Sequence, residues 1–158
     1  MILSVKHYII PIFIPHYGCS HQCVFCNQRR ITGQATPVTA DEVATIIDWH
    51  LTRLNQPRQV EVAFYGGSFT ALPKEVQQAL LRPAYNVLKQ GKIHKIRLST
   101  RPDCIDETTL ALLKDHKVTT IELGAQSLDD NVLAAAARGH SSQAVAQAAR
   151  LIKAAGFS

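Results

Sequence analysis

From His7 onward, four short apolar runs alternate with segments of helical period, and this rhythm is what most restricts the fold. The runs cover 7–14 (HYIIPIFI), 59–65 (QVEVAFY), 93–99 (IHKIRLS) and 118–123 (VTTIEL). Between the first two, Val43, Ile46, Ile47, Leu51 and Leu54 recur at helical spacing; Val76, Leu80, Ala84, Val87 and Leu88 do so between the second and third. Strands and helices that alternate through short loops pack as parallel strands with right-handed crossovers.

The punctuation agrees with this rhythm. Thr39-Ala40-Asp41-Glu42 reads as a capping box, Pro73 as a helix opening and Gly91 as its close. Pro83 is a candidate kink in that second helix. Asp106 should cap a third helix carrying Leu110 and Leu113. Ser127 is expected to start an alanine-rich helix to about Ala137, and Ser141 another to about Ala155. Pro11 argues that the first strand lies at an edge or carries a bulge. Gly156 then stops the last helix, and Phe157-Ser158 reads as the first step of a fifth strand. Four βα units are about half of a (β/α)8 barrel, which takes roughly 250 residues. The expectation is an α/β fold, a partial TIM-like barrel, with 1–158 as one domain and the N-terminal part of a longer protein.

With 46% apolar and 18% charged residues in a chain of 158, the composition is that of a globular domain and excludes a disordered one. No apolar run approaches the roughly 20 residues of a membrane helix. The start, Met1 to His7, lacks a basic n-region and a small-residue cleavage site, so a cytoplasmic location with no membrane partner is expected. The net charge of +5 would suit RNA or a phosphorylated cofactor, and equally a solvated surface.

Chemistry is concentrated in Cys19, Cys23 and Cys26, spaced C-x3-C-x2-C just beyond the first strand. That is the end of a parallel α/β fold where active sites gather. Three clustered cysteines among four in such a chain favour metal or redox chemistry over a disulfide framework. Three thiolates hold three corners of a metal centre and leave one open. One reading is a [4Fe–4S] cluster whose fourth iron binds an external molecule. Another is structural zinc with His16 or His21 as fourth ligand, in a non-catalytic binding module with a basic surface. Cys104 stands apart and reads as a small buried hydrophobe.

The cysteine run, with aromatic Phe25 just before its last member, resembles the signature of the radical S-adenosylmethionine (SAM) superfamily. Three further places are similar in order and spacing. Gly66-Gly67 ends the second strand where the family has a glycine-rich turn, often Gly-Gly-Glu, that receives the methionine ammonium; here Ser68 replaces the acid. Ser99, in Ser99-Thr100-Arg101-Pro102-Asp103, stands where the family contacts the cofactor ribose or carboxylate. Glu122-Leu123-Gly124-Ala125-Gln126-Ser127 with Arg138-Gly139-His140 resembles enzymes akin to oxygen-independent coproporphyrinogen oxidases and the catalytic subunit of Elongator. In those relatives the glutamine and arginine approach the cofactor, the arginine near its carboxylate. Glu122 itself could face the barrel mouth or form an ion pair outside.

The resemblance implies a radical SAM enzyme. A [4Fe–4S] cluster on Cys19, Cys23 and Cys26 would cleave SAM to a 5′-deoxyadenosyl radical that abstracts hydrogen from a substrate. Phe25, Gly66, Gly67, Ser99, Gln126 and Arg138 would bind the cofactor. A flavodoxin- or ferredoxin-like electron donor is implied, and tRNA is one candidate substrate. Two departures bear on the specific reaction. The Elongator subunit spaces its first two cysteines more widely. The coproporphyrinogen oxidases usually carry a further cysteine where Asn27-Gln28 stand here, which argues against haem synthesis.

Overall fold

The computed structural model describes residues 7–14, 19, 21–26, 36–54 and 59–158. Its framework is a parallel sheet in the order β1 (His7–Ile14), β2 (Gln59–Gly66), β3 (Lys95–Thr100), β4 (Thr120–Leu123). The helices are α1 (Ala40–Leu51), α2 (Lys74–Lys89), α3 (Glu107–Asp115), α4 (Asp130–Ala135) and α5 (Ser142–Ala154). Single 3-10 turns at Phe69–Ala71 and Pro102–Cys104 follow β2 and β3. This is the partial, unclosed TIM-like barrel that the alternation predicts.

Register explains why the sheet holds. Ile10, Val62 and Ile96 form one row across it, and Ile12, Phe64, Leu98 and Ile121 the next. These side chains are buried beside Val43 and Ile47 of α1, Leu80 and Leu81 of α2, and Leu113 of α3. Each such burial contributes about 1.5–3 kcal/mol. The opposite face carries Ile9, Phe13, Glu61, Tyr65, Arg97, Ser99 and Glu122, as the period of two requires. The register of β1 runs unbroken from His7↔Gln59 to Ile14↔Gly66, so Pro11 is tolerated by position alone: β1 is an edge strand of the described sheet and no bulge is needed.

The capping box forms, with Thr39 N–H donating to Glu42 Oε2 at 2.7 Å and Glu42 N–H to Thr39 Oγ1 at 3.2 Å. Asp106 caps α3 through Thr109 N–H at 2.7 Å, and Ser141 caps α5 through Ala144 N–H at 3.2 Å. α2 runs on through Pro83 as one helix.

Ser127 does not start the next helix. Its hydroxyl accepts from Asp129 N–H, while the Asp129 carboxylate accepts from Asn131 and Val132 N–H and opens α4 three residues later than expected. A carboxylate so close to the helix start offers the stronger acceptor. α4 also ends early, at Ala135, because Ala137 and Gly139 take left-handed φ values of 52° and 74°. β3 and β4 each begin two residues later than their apolar runs, at Lys95 and Thr120. Ser158 N–H donates to Thr119 O and Ser158 O accepts from Ile121 N–H, the alternating pattern of a parallel strand joining β4. No helix among the described residues is long and apolar enough to cross a membrane.

Candidate active site

The cysteine-bearing segment and the C-terminal ends of β2, β3 and β4 border a cavity of about 800 Å³. All nine residues singled out in the sequence line it. Cys19, Cys23, Cys26 and Phe25 form one wall, Gly66 and Gly67 lie at the end of β2, and Ser99 at the end of β3. Gln126 and Arg138 come from the segment after β4. Gln126 sits at φ 69°, a conformation unusual for a residue with a Cβ, of the kind that clusters at functional sites. Gly66, at φ 102°, is where a side chain would fail: a Cβ there would lie 3.1 Å from Ile14 O. Phe25 is exposed on the rim.

Cys23 is buried, Cys26 half-buried and Cys19 exposed. A turn joins two of them, Cys26 N–H donating to Cys23 O at 3.0 Å. Among the described residues no three Cys, His, Asp or Glu side chains are gathered closely enough to hold a metal ion. The thiols share a wall without sharing a centre. Burial raises the Cys19 pKa, and the charges of Cys26 and Cys23 add to that, against a backbone hydrogen bond from Ser68 and the charge of Arg101. Ionising the Cys19 thiol is therefore opposed until a cation compensates its charge. In kind the donor set fits an iron–sulfur cluster: three soft sulfurs on one cavity, with room beside them for a nucleoside-sized ligand. His16 lies outside the described residues.

Two buried arginines tie the wall to the sheet. Arg138 donates from Nη1 to Cys23 Sγ at 3.1 Å and from Nη2 to Gly124 O, and its buried Nε has no hydrogen-bond partner among the described residues. Arg101 grips Asp103 with two hydrogen bonds of 3.0 and 3.1 Å and also donates to Arg138 O at 2.5 Å. Burial opposes the Arg101 charge, but Asp103 outweighs it and holds the guanidinium above its ordinary value. Val24 N–H donates to Ala136 O at 3.2 Å, and the His21 ring lies over Gly139, so the cysteine segment leans on the turn after α4 at two more points.

Ser68, at the place of the family's acid, is turned inward. It is 1% exposed, shares a 2.9 Å hydrogen bond with Thr100 Oγ1 and accepts from Arg101 N–H at 3.2 Å. Thr100 also bonds Thr70 Oγ1 at 2.6 Å, which makes a buried hydroxyl knot behind the glycine turn. Thr100 stands in the Ser99–Asp103 run with no role of its own legible there, because a threonine on a strand reads as ordinary β propensity.

Glu122 faces the cavity, and its ion pair forms there rather than outside. It lines the cavity, and it accepts from Arg97 Nη1 at 2.8 Å and Ser99 Oγ at 3.1 Å. Arg97 Nε also approaches Glu61 Oε2 to 2.9 Å, off the line of a hydrogen bond, so that contact is an ion pair. Burial lowers the His140 pKa, as do the charges of Arg138 and Arg101, against a hydrogen bond from its ring to Ser141 O. Cys104 is half-buried rather than fully packed away, with its thiol pKa raised by burial and by Asp103.

Known proteins are similar to this chain in sequence and in fold. The chain is 25% identical over 127 residues to the heme chaperone HemW of Bacillus subtilis, covering 77% of this chain and 33% of that protein. It is 29% identical over 116 residues to Elongator complex protein 3 of Saccharomyces cerevisiae (63% and 21%) and 26% identical over 112 residues to the tRNA uridine(34) acetyltransferase of Dehalococcoides mccartyi (60% and 24%). The chain thus spans a third or less of the length of these relatives. Among solved structures, Elp3 of the archaeon Methanocaldococcus infernus superposes with a TM-score of 0.69 at 19% identity, over 98% of this chain and 37% of that one. Coproporphyrinogen III oxidase of Escherichia coli does so with a TM-score of 0.65 at 17% identity (98% and 36%). The family model of the radical SAM superfamily matches residues 13–158, which takes in the cysteine triplet, the glycine turn and the arginine that bonds Cys23. On that match and this fold, the chain belongs to the radical SAM superfamily.

Proposed function

We propose that residues 1–158 form the N-terminal part of the core domain of a radical SAM enzyme. Cys19, Cys23 and Cys26 hold a [4Fe–4S] cluster, and Phe25, Gly66, Gly67, Ser99, Gln126 and Arg138 receive SAM beside it. A cluster held there and reduced by an external donor would supply the one electron for cleavage of SAM to methionine and a 5′-deoxyadenosyl radical, the species that would take hydrogen from the substrate. The protein's part is positioning. Arg138 steadies Cys23, and its guanidinium on the cavity wall offers a fork for the cofactor carboxylate. Gly66 and Gly67 let the ligand approach backbone without a Cβ between. Phe25 offers the adenine an apolar face.

The observation that carries this reading is convergence. Residues from four stretches, as far apart in sequence as Cys19 and Arg138, line one cavity at the active end of the sheet. A cytoplasmic enzyme reduced by a flavodoxin- or ferredoxin-like donor, acting on tRNA, is the fuller form of the proposal. The net charge of +5 and the tRNA-directed name of one relative support that substrate.

The test is an anaerobic assay of the full-length protein. After reconstitution with iron and sulfide and reduction with dithionite, it should release 5′-deoxyadenosine from SAM. A reduced, intact cluster that yields none overturns the radical reading. A colourless protein with one zinc per chain replaces it with a zinc-stabilised module.

A further inference from the structure

At the glycine turn, where the family often has an acid, this chain has Ser68, and Ser68 is committed elsewhere. Its hydroxyl bonds Thr100 and Arg101 N–H, and only 1% of the residue is exposed. An α-amino acid group entering this cavity still presents an ammonium, and a desolvated ammonium needs an anionic or carbonyl partner. Glu122 is the only carboxylate among the described residues lining the cavity. Its side chain is 42% exposed, whereas the Glu61 side chain on the same sheet face is 5% exposed.

Its neighbours fix the carboxylate without using it up. Arg97 takes Oε1 at 2.8 Å, and Ser99, itself at the predicted cofactor position, takes Oε2 at 3.1 Å. A carboxylate accepts about four hydrogen bonds, so two sites remain. Arg97 is shared with Glu61 at 2.9 Å, and one guanidinium between two carboxylates leaves the pair short of neutral. Lys95, 3.8 Å from Glu61, brings these four groups to charge balance, so what Glu122 offers a ligand is its two open acceptor positions and not an excess of negative charge. Arg138 lines the same cavity. The cavity therefore holds one carboxylate with open acceptor positions and also a guanidinium, the two groups that the ammonium and carboxylate of an amino acid would meet.

We infer that Glu122, oriented by Ser99 and Arg97, receives the α-ammonium of S-adenosylmethionine in place of the acid missing at Ser68. The inference rests on the proposed binding of SAM in this cavity. In this chain the ammonium contact has moved from the turn after β2 to the end of β4.

The test compares two ligands on the full-length, cluster-loaded protein by calorimetry: SAM, and its analogue with hydrogen in place of the α-ammonium. Glu122→Gln should weaken SAM by about tenfold or more, the worth of one charged hydrogen bond, and leave the analogue unchanged. Glu122→Asp, which keeps the charge but draws it back, should fall between; it also serves if the glutamine variant loses iron. Equal losses for both ligands, or no loss for SAM, overturn the inference while the proposed function stands. A wild-type protein that carries its cluster but binds neither ligand overturns both.

Discussion

Arg138 Nη1 donates to Cys23 Sγ at 3.1 Å across a sequence separation of 115 residues. A guanidinium 7% exposed meets a cysteine 8% exposed, so the contact is made out of water, where a charged hydrogen bond counts most. Through it, the segment after β4 holds the segment after β1.

Removing that guanidinium should be felt in the fold. Arg138→Ala deletes the bonds to Cys23 and Gly124 O and should destabilise the metal-free chain by about 1–3 kcal/mol. Urea unfolding measures it. A loss below ~0.5 kcal/mol would mean that the bond does not hold the two segments together.

Iron content separates the four thiols. Alanine at Cys19, Cys23 or Cys26 should each abolish the absorbance near ~400 nm after anaerobic reconstitution, while Cys104→Ala should retain it. Retention of full iron by any of the first three variants removes that residue from the ligand set.

Gly139 should not tolerate a side chain. A Cβ there would lie 2.2 Å from the His21 ring, and its φ of 74° costs a residue with a Cβ about 1–2 kcal/mol by itself. Gly139→Ala should exceed that cost, and adding His21→Ala should recover only the excess. A double-mutant cycle in urea reads the difference; strict additivity would show that the ring and the glycine are not in contact in solution.

Acid should weaken the α3 cap. Backbone and side-chain hydrogen bonds from Thr109 and Thr108 lower the Asp106 pKa below its ordinary 3.8. The folded value is thus depressed, so the stabilisation is complete above the unfolded pKa and disappears as pH falls through the folded one. Asp106→Asn caps without titrating, so the wild type should lose stability relative to it only below about pH 4. A gap that stays constant from pH 7 to pH 3 contradicts the assignment.

His140 should act in the neighbouring window. Its pKa is lowered from 6.5, chiefly by burial, so the unfolded chain takes up a proton more readily than the folded one. Stability should fall as pH drops below 6.5, and His140→Gln should flatten that slope in urea titrations. An unchanged slope would show that the imidazole is not the titrating group.

Much of this protein is written locally. Strand and helix types follow from hydrophobic period, and the caps at Thr39, Asp106 and Ser141 follow from side chains that reach amides three residues away. The cysteine spacing and the glycine turn are legible for the same reason: each is complete within a few residues. The start of α4 is local as well, although it lies at Asp129 and not at Ser127: the Asp129 carboxylate takes the Asn131 and Val132 amides, while the Ser127 hydroxyl takes that of Asp129. What the sequence leaves open is which distant groups meet. That Ser68 faces inward to Thr100, that Glu122 serves both Arg97 and the cavity, and that Arg138 bonds Cys23 are products of parallel register. Parallel strands bring their C-terminal ends together only after each crossover helix has packed. The site therefore comes into being with the core, and no stretch of chain contains it alone.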